Sequence, residues 1–181
     1  MNNKKASWQR TFEAFAGIGI HQPSNMMRVT ESEARTILAN LTDMQWRGVA
    51  HAGAGRHAGY TVRNASETWT TALFRDDAIV GFYAGSHLWI ARPHRSQGLS
   101  TPLILAAAEH RGGGIVPPGV AFQGYTPTGV IAHRAAHRHA VLTAMAAGKT
   151  VPAEVLAELG GERQDDTPLR EADKRLHGGQ D

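Results

Sequence analysis

The chain has 181 residues, 41% of them hydrophobic, which is enough apolar material for the core of one domain. It contains no cysteine, and this excludes disulfides, thiolate metal sites and a cysteine nucleophile. The formal net charge of +3 at pH 7 fits a polyanionic coenzyme and a nucleic acid equally well as partner. No apolar run reaches the roughly 20 residues of a membrane span, and no signal peptide is recognisable. We therefore expect a cytoplasmic protein without a membrane partner.

The N-terminal part of the chain predicts two helices. Apolar residues recur at helical spacing over residues 12–18 and indicate a short amphipathic helix. Thr30, with Glu33 three residues later, has the sequence of a capping box, which predicts a second helix through Leu41. Between the two helices, residues 26–29 have the composition of a first strand.

The central part of the chain predicts a sheet. Residues 68–74 and 78–83 have strand composition and are separated by a polar turn, which indicates a β-hairpin. Residues 87–91 form a third predicted strand, which ends before Pro93 because proline cannot donate to a strand ladder. The glycine-rich stretch 48–59 before them is predicted to be a surface loop or a frayed helix.

The C-terminal part predicts helices followed by a tail. Helices are expected over residues 98–111 and 128–147, with a strand over 120–122 between them. A last short helix is expected over residues 151–159. Residues 161–181 contain too few apolar side chains to pack, so we expect a single domain over 1–160 followed by a disordered tail.

The turn before the helix 98–111 has the chemistry of an anion site. Free backbone N–H groups and the positive end of the helix dipole face whatever lies in front of a helix N-terminus. Gly98 allows close approach to the backbone, Ser100 adds a hydroxyl donor, and Arg95 can pair with a phosphate oxygen. The pattern Arg95-x-x-Gly98-x-Ser100 resembles the Arg/Gln-x-x-Gly-x-Gly/Ala pyrophosphate turn of the GCN5-related N-acetyltransferases, with serine as a departure at the last position.

This resemblance implies an α/β (α+β) fold with a mixed, mostly antiparallel sheet flanked by helices. It also implies acetyl-CoA or another acyl-CoA as co-substrate, and transfer of the acyl group to an acceptor amine. The residues that would bind the cofactor are Leu88, Trp89, Ile90, Arg95, Ser96, Gln97, Gly98, Leu99 and Ser100. The first three would pair through their backbone with the pantetheine arm. The last two strands of the family have no counterpart here, so we expect an atypical member, in which a second copy of the chain is one way to cover the sheet.

Acyl transfer to an amine needs one group that accepts a proton and another that donates one. His87 lies in the strand where the family often has its base, and His94 is a second candidate. The family donates a proton from a tyrosine early in its fourth helix, and the resemblance puts either His133 or Tyr125 in that role.

The helix over 128–147 also permits two other interpretations. His133 and His137 have a spacing that can bind zinc, but no third ligand is identifiable, so a packed or solvated histidine face and no metal are expected. Arg134, His137, Arg138 and Lys149 give this helix a basic side.

The segment 132–159 is also similar to helical endings in proteins of phages and other mobile elements. This similarity extends the acyltransferase hypothesis to modification of a nucleic-acid base. It also defines the alternative hypothesis, a non-catalytic nucleic-acid-binding protein of a mobile element that uses the basic helix.

Overall fold

A computed structural model describes residues 5–17, 29–66, 68–116 and 124–160. The strand predicted over 120–122 and the tail predicted over 161–181 lie outside these ranges. Of the strand predicted over 26–29, only Val29 is described, and it belongs to no strand.

A five-stranded antiparallel sheet lies at the centre of the described molecule, and strands that are neighbours in sequence are neighbours in the sheet. The strands are β1 (Trp46–His51), β2 (Tyr60–Ala65), β3 (Thr70–Arg75), β4 (Ala78–Ala84) and β5 (His87–Ile90). Helices flank the sheet, so the predicted α+β class is confirmed. Within the described residues the sheet is wholly antiparallel rather than mixed, with β1 and β5 as its outer strands.

The prediction of a loop or frayed helix over residues 48–59 is wrong for residues 48–51, which belong to β1. The sequence of β1, Trp-Arg-Gly-Val-Ala-His, does not alternate between apolar and polar residues, so it gave no strand signal. Five of its six residues are exposed, and the strand therefore has no buried face that would require such alternation. Gly48 has a φ of +62° where the pairing with β2 shifts between Arg47 and Val49. A glycine within a strand is typical of such a bulge. Strand β2 was not predicted either.

The helices of the described ranges are α1 (Phe12–Ala16), α2 (Glu31–Thr42), α3 (Ser100–His110), α4 (Pro127–Ala146) and α5, which covers residues 153–160. The capping box at the start of α2 is confirmed: the Glu33 N–H donates to the Thr30 hydroxyl, and the Thr30 N–H donates to the Glu33 carboxylate. Helices α3 and α4 begin within two residues of their predicted starts. Of all these helices, none combines the length and apolar character needed to cross a lipid bilayer.

The two faces of the sheet bury different apolar clusters. Helices α1, α3 and α4 pack on one face, around residues such as Phe15, Leu73 and Leu103. Helix α2 packs on the other face, against Phe74 and Phe82. Because successive side chains of a strand point to opposite faces, β5 directs Leu88 and Ile90 toward the first cluster and Trp89 toward the second.

Candidate functional site

A groove of about 550 Å³ lies between β5, the turn that begins α3 and the first turns of α4. It is lined by nearly all the residues that the sequence singled out: His87, Leu88, Trp89, Ile90, His94, Arg95, Ser96, Gly98, Leu99, Ser100, Tyr125 and His133. Of the predicted cofactor ligands, Gln97 alone is not part of this lining. Three segments that are separate in sequence therefore meet at one surface.

The strand wall of the groove offers backbone groups of β5. The Ala91 N–H donates to the Val80 carbonyl at 2.8 Å, and in an antiparallel ladder the residues that bond to the neighbouring strand alternate. Leu88 and Ile90 consequently direct their N–H and C=O groups away from β4, on the side where they line the groove. The Trp89 ring instead stacks on Phe82, with ring centroids 5.5 Å apart.

The turn before α3 has the backbone shape of an anion-binding concavity. Ser96 and Gly98 have φ values of +60° and +75°, and Leu99 follows with helical angles. A left-handed residue followed by a right-handed one points successive N–H groups to the same side of the chain. The N-cap residue Leu99 makes no side-chain hydrogen bond to the first turn of α3, in which the Thr101 N–H donates to the Gly98 carbonyl at 3.2 Å.

Arg95 joins the turn to two other elements. Its Nε donates to the Ile90 carbonyl at 2.6 Å, and its guanidinium pairs with the Glu31 carboxylate at 2.9 Å. The side chain is 43% exposed, so it lies at the groove surface with its charge partly balanced by α2.

His133 lies at the buried end of the groove, with 1% of its surface exposed. Its Nδ1 is 2.6 Å from the Gly129 carbonyl oxygen, and its Nε2 is 2.8 Å from the Tyr83 hydroxyl. A carbonyl can only accept, so Nδ1 carries the proton and Nε2 accepts from Tyr83. Burial lowers the pKa of His133 to about 4, which makes the ring neutral at pH 7. Its single N–H is therefore used inside α4.

Tyr125 stacks obliquely on His133, with ring centroids 4.0 Å apart, and donates its hydroxyl proton to the Ala16 carbonyl at 2.7 Å. Burial, and secondarily the neighbouring Tyr83, raises the pKa of Tyr125 above its usual range. A phenol in this environment keeps its proton at neutral pH, so Tyr125 has the protonation state of a donor rather than a base.

The remaining histidine candidates differ in accessibility. His87 is exposed at the edge of the groove. The pKa of Glu33, in α2, is lowered mainly by its hydrogen bonds with Thr30, with a minor electrostatic contribution from His87. His94 is half-buried, with Nδ1 2.8 Å from the Tyr60 hydroxyl. His87 is thus the candidate that solvent and an acceptor reach most directly.

Sequence reasoning missed several residues around the groove. His57, Tyr60 and Arg75 contact the turn or each other, and Tyr83 bonds to His133. Tyr60 is the first residue of β2, and a prediction of this strand would have directed attention to it. Because β2 was not predicted, Tyr60 was missed as well. Tyr83 lies in a predicted strand, but no spacing connects it with His133.

The basic side of α4 is largely packed. Arg134 and His137 are buried, with the Arg134 guanidinium 5.5 Å from the Phe12 ring and the His137 ring against Phe12 and Phe15. Of the two alternatives for this histidine face, packed or solvated, the structure shows His133 and His137 packed. The nucleic-acid face predicted on this helix is wrong for Arg134 and His137, because both contribute to the core between α4 and α1.

Within the described ranges, no group of three or more histidine, aspartate or glutamate side chains is placed to hold a metal ion. Comparison of the chain with protein-family models, with curated proteins and with solved structures found no match.

Proposed function

We propose that this protein is an acyl-CoA-dependent N-acyltransferase, which moves an acetyl or related acyl group to an acceptor amine. The observation that carries the proposal is the meeting of the outward-facing backbone of β5 with the glycine turn of α3 in one groove. The turn suits a phosphate group, and the strand suits an extended arm that contains amides. A ligand with an anionic end and an amide-containing arm would use both at once.

The residues of the groove divide naturally between the two ends of such a ligand. The N–H groups of Gly98, Leu99 and Ser100 would receive the diphosphate, with Arg95 beside them. The backbone of Leu88 and the N–H of Ile90, whose carbonyl accepts from Arg95, would pair with the pantetheine arm. An acyl-CoA, when bound, would supply the activated thioester.

Proton transfer in this proposal uses residues with opposite properties. Tyr125 keeps its phenolic proton at neutral pH, and its hydroxyl would turn from the Ala16 carbonyl to donate that proton to the departing thiolate. His87 is exposed at the edge of the groove and would accept the proton of the attacking amine. His133 would act by orienting the ring of Tyr125, because its own N–H is bonded to Gly129. The acceptor class is an amine, and the amino group of a nucleic-acid base is included in it.

Calorimetric titration of acetyl-CoA tests the proposal. Gly98→Glu places a carboxylate at the turn, where it would repel a phosphate, and an added Cβ would lie no closer than 3.6 Å to the His57 ring. We expect the wild-type chain to bind and the variant to bind at least about tenfold more weakly.

Gly148→Glu is the matched control. Gly148 has a φ of +70°, close to the +75° of Gly98, and it follows α4 with open space around it. Both variants carry the same backbone strain and the same added charge, so only Gly98→Glu should lose affinity. Absence of wild-type binding to acetyl-CoA, together with binding to duplex DNA that weakens with salt, would favour the nucleic-acid-binding alternative instead.

A further inference from the structure

The connection between β1 and β2 makes a hydrogen bond to the turn before α3, through His57, which does not line the groove. His57, in the 3-10 turn Gly55–His57, has its Nε2 2.7 Å from the Gln97 carbonyl oxygen. The carbonyl accepts, so the Nε2 proton is the one donated. The same ring lies beside Gly98, since a Cβ added there would be 3.6 Å from Nε2. His57 therefore bonds to Gln97 and lies next to Gly98, the first of the residues whose N–H groups would receive the anion.

A second contact to the turn comes from the start of β2. Tyr60 is 1% exposed, and its hydroxyl accepts a hydrogen bond from Arg75 at 2.8 Å. The Arg75 guanidinium also lies 4.9 Å from the centroid of the Tyr60 ring. The hydroxyl has one proton, and the two acceptors within its reach, His94 Nδ1 at 2.8 Å and Gln97 Oε1 at 3.4 Å, both belong to the turn. Arg75 thus fixes the hydroxyl so that it donates to the turn.

These contacts explain why Gln97 does not line the groove. Its carbonyl oxygen bonds to His57, its side-chain oxygen faces Tyr60, and its side-chain nitrogen donates to the Pro93 carbonyl. The carbonyl and the side-chain amide of Gln97 therefore make their hydrogen bonds to residues that do not line the groove. The residues of the turn that line the groove include Ser96, Gly98, Leu99 and Ser100, and the direction of their backbone N–H groups depends on how firmly the turn is held.

We infer that His57 and Tyr60 are positioning residues that hold the turn 94–100 in the shape that receives an anion. The inference rests on the proposed function for the identity of that anion, the diphosphate of an acyl-CoA. A turn that is ordered before the ligand arrives loses less conformational freedom on binding, so the two residues act on affinity without touching the ligand.

The test compares His57→Leu and Tyr60→Phe with His110→Leu. His110 is the matched control because its Nε2 also bonds to a backbone carbonyl of another segment, that of Thr68 at 3.1 Å, away from the turn. Backbone 15N relaxation gives the order parameters of Gln97, Gly98 and Leu99, and calorimetry gives the affinity for acetyl-CoA.

We expect order parameters near 0.85 in the wild type and in His110→Leu, falling toward about 0.6 at the turn in His57→Leu and in Tyr60→Phe. Affinity should fall by about threefold to tenfold in His57→Leu and in Tyr60→Phe, the equivalent of one net hydrogen bond. His57→Gln, whose amide can donate to the same carbonyl, should restore part of both quantities.

Unchanged order parameters at the turn in His57→Leu and Tyr60→Phe would overturn the inference, whatever the affinity. A loosened turn with wild-type affinity would overturn it as well. A wild-type chain that fails to bind acetyl-CoA would overturn the proposed function alone, because the relaxation data report on the turn without any ligand.

Discussion

The Tyr83 hydroxyl lies 2.8 Å from Nε2 of His133, and both side chains are buried. Nδ1 of the same ring donates to the Gly129 carbonyl, and burial keeps the imidazole neutral, so Nε2 accepts from Tyr83. The pair connects β4 with α4 directly beneath the groove. A protonated His133 would reverse this bond, with Nε2 as donor, and would place a charge in the core.

The free energy of unfolding should therefore fall in mild acid. The pKa of His133 is lowered from 6.5 to about 4, so between these values the unfolded chain binds a proton that the folded chain does not. The contribution of the neutral His133 to the free energy of unfolding is complete above pH 6.5. It decreases as the pH falls toward 4, by about 3 kcal/mol in total.

Urea denaturation at several pH values between 4 and 7 measures this slope. His133→Gln should flatten it, and His139→Gln, which removes an exposed histidine from the same helix, is the matched control. A residual slope in His133→Gln is expected from His137, whose pKa burial also lowers. A slope identical in the wild type and in His133→Gln would contradict the neutral, buried state of His133.

Arg111 is the buried cation on which the end of α3 depends. It is 6% exposed and donates to the carbonyls of Ile115, Trp69 and Gly85 at 2.8, 2.8 and 3.0 Å. Arg111→Met would leave these acceptors without their donor, and we expect the free energy of unfolding to fall by about 3 kcal/mol or more. Arg35→Met, at an exposed position of α2, should change it by less than about 0.5 kcal/mol. Equal effects of the two variants in urea denaturation would show that Arg111 has no such role.

Thr126 caps α4, with its hydroxyl 3.0 Å from the Gly129 N–H that donates to it. Thr126→Ala should lower the free energy of unfolding by about 1 kcal/mol, whereas Thr126→Ser, which keeps the hydroxyl, should lower it much less. Thermal or urea unfolding of both variants checks this. If serine is as destabilising as alanine, the methyl group of Thr126 matters more than the cap.

Local signals in the sequence were sufficient for part of this structure. The capping box at Thr30, the strand–turn–helix around Gly98 and the proline at the start of α4 depend on residues a few positions apart, and all three are found where they were predicted. Such features are determined mainly by hydrogen bonds and backbone preferences within one turn of the chain.

The rest depends on contacts between distant segments. His57 and Gln97 are 40 residues apart, and Tyr83 and His133 are 50 residues apart, so no spacing rule connects them. Strand β1 was missed because its exposed residues show no alternation, and Arg134 was assigned to a solvent face because burial of an arginine against Phe12 cannot be inferred from α4 alone.

The central claim is that the anionic end of an acyl-CoA binds at the turn before α3 while its arm follows β5. Titration of 15N-labelled protein with coenzyme A tests it directly, because amide shifts report the contact residue by residue. We predict that the largest shift changes occur at Gly98, Leu99 and Ser100 and at the outward-facing amides of Leu88 and Ile90. Saturable changes confined to other surfaces, or none at all at millimolar coenzyme, would contradict the account.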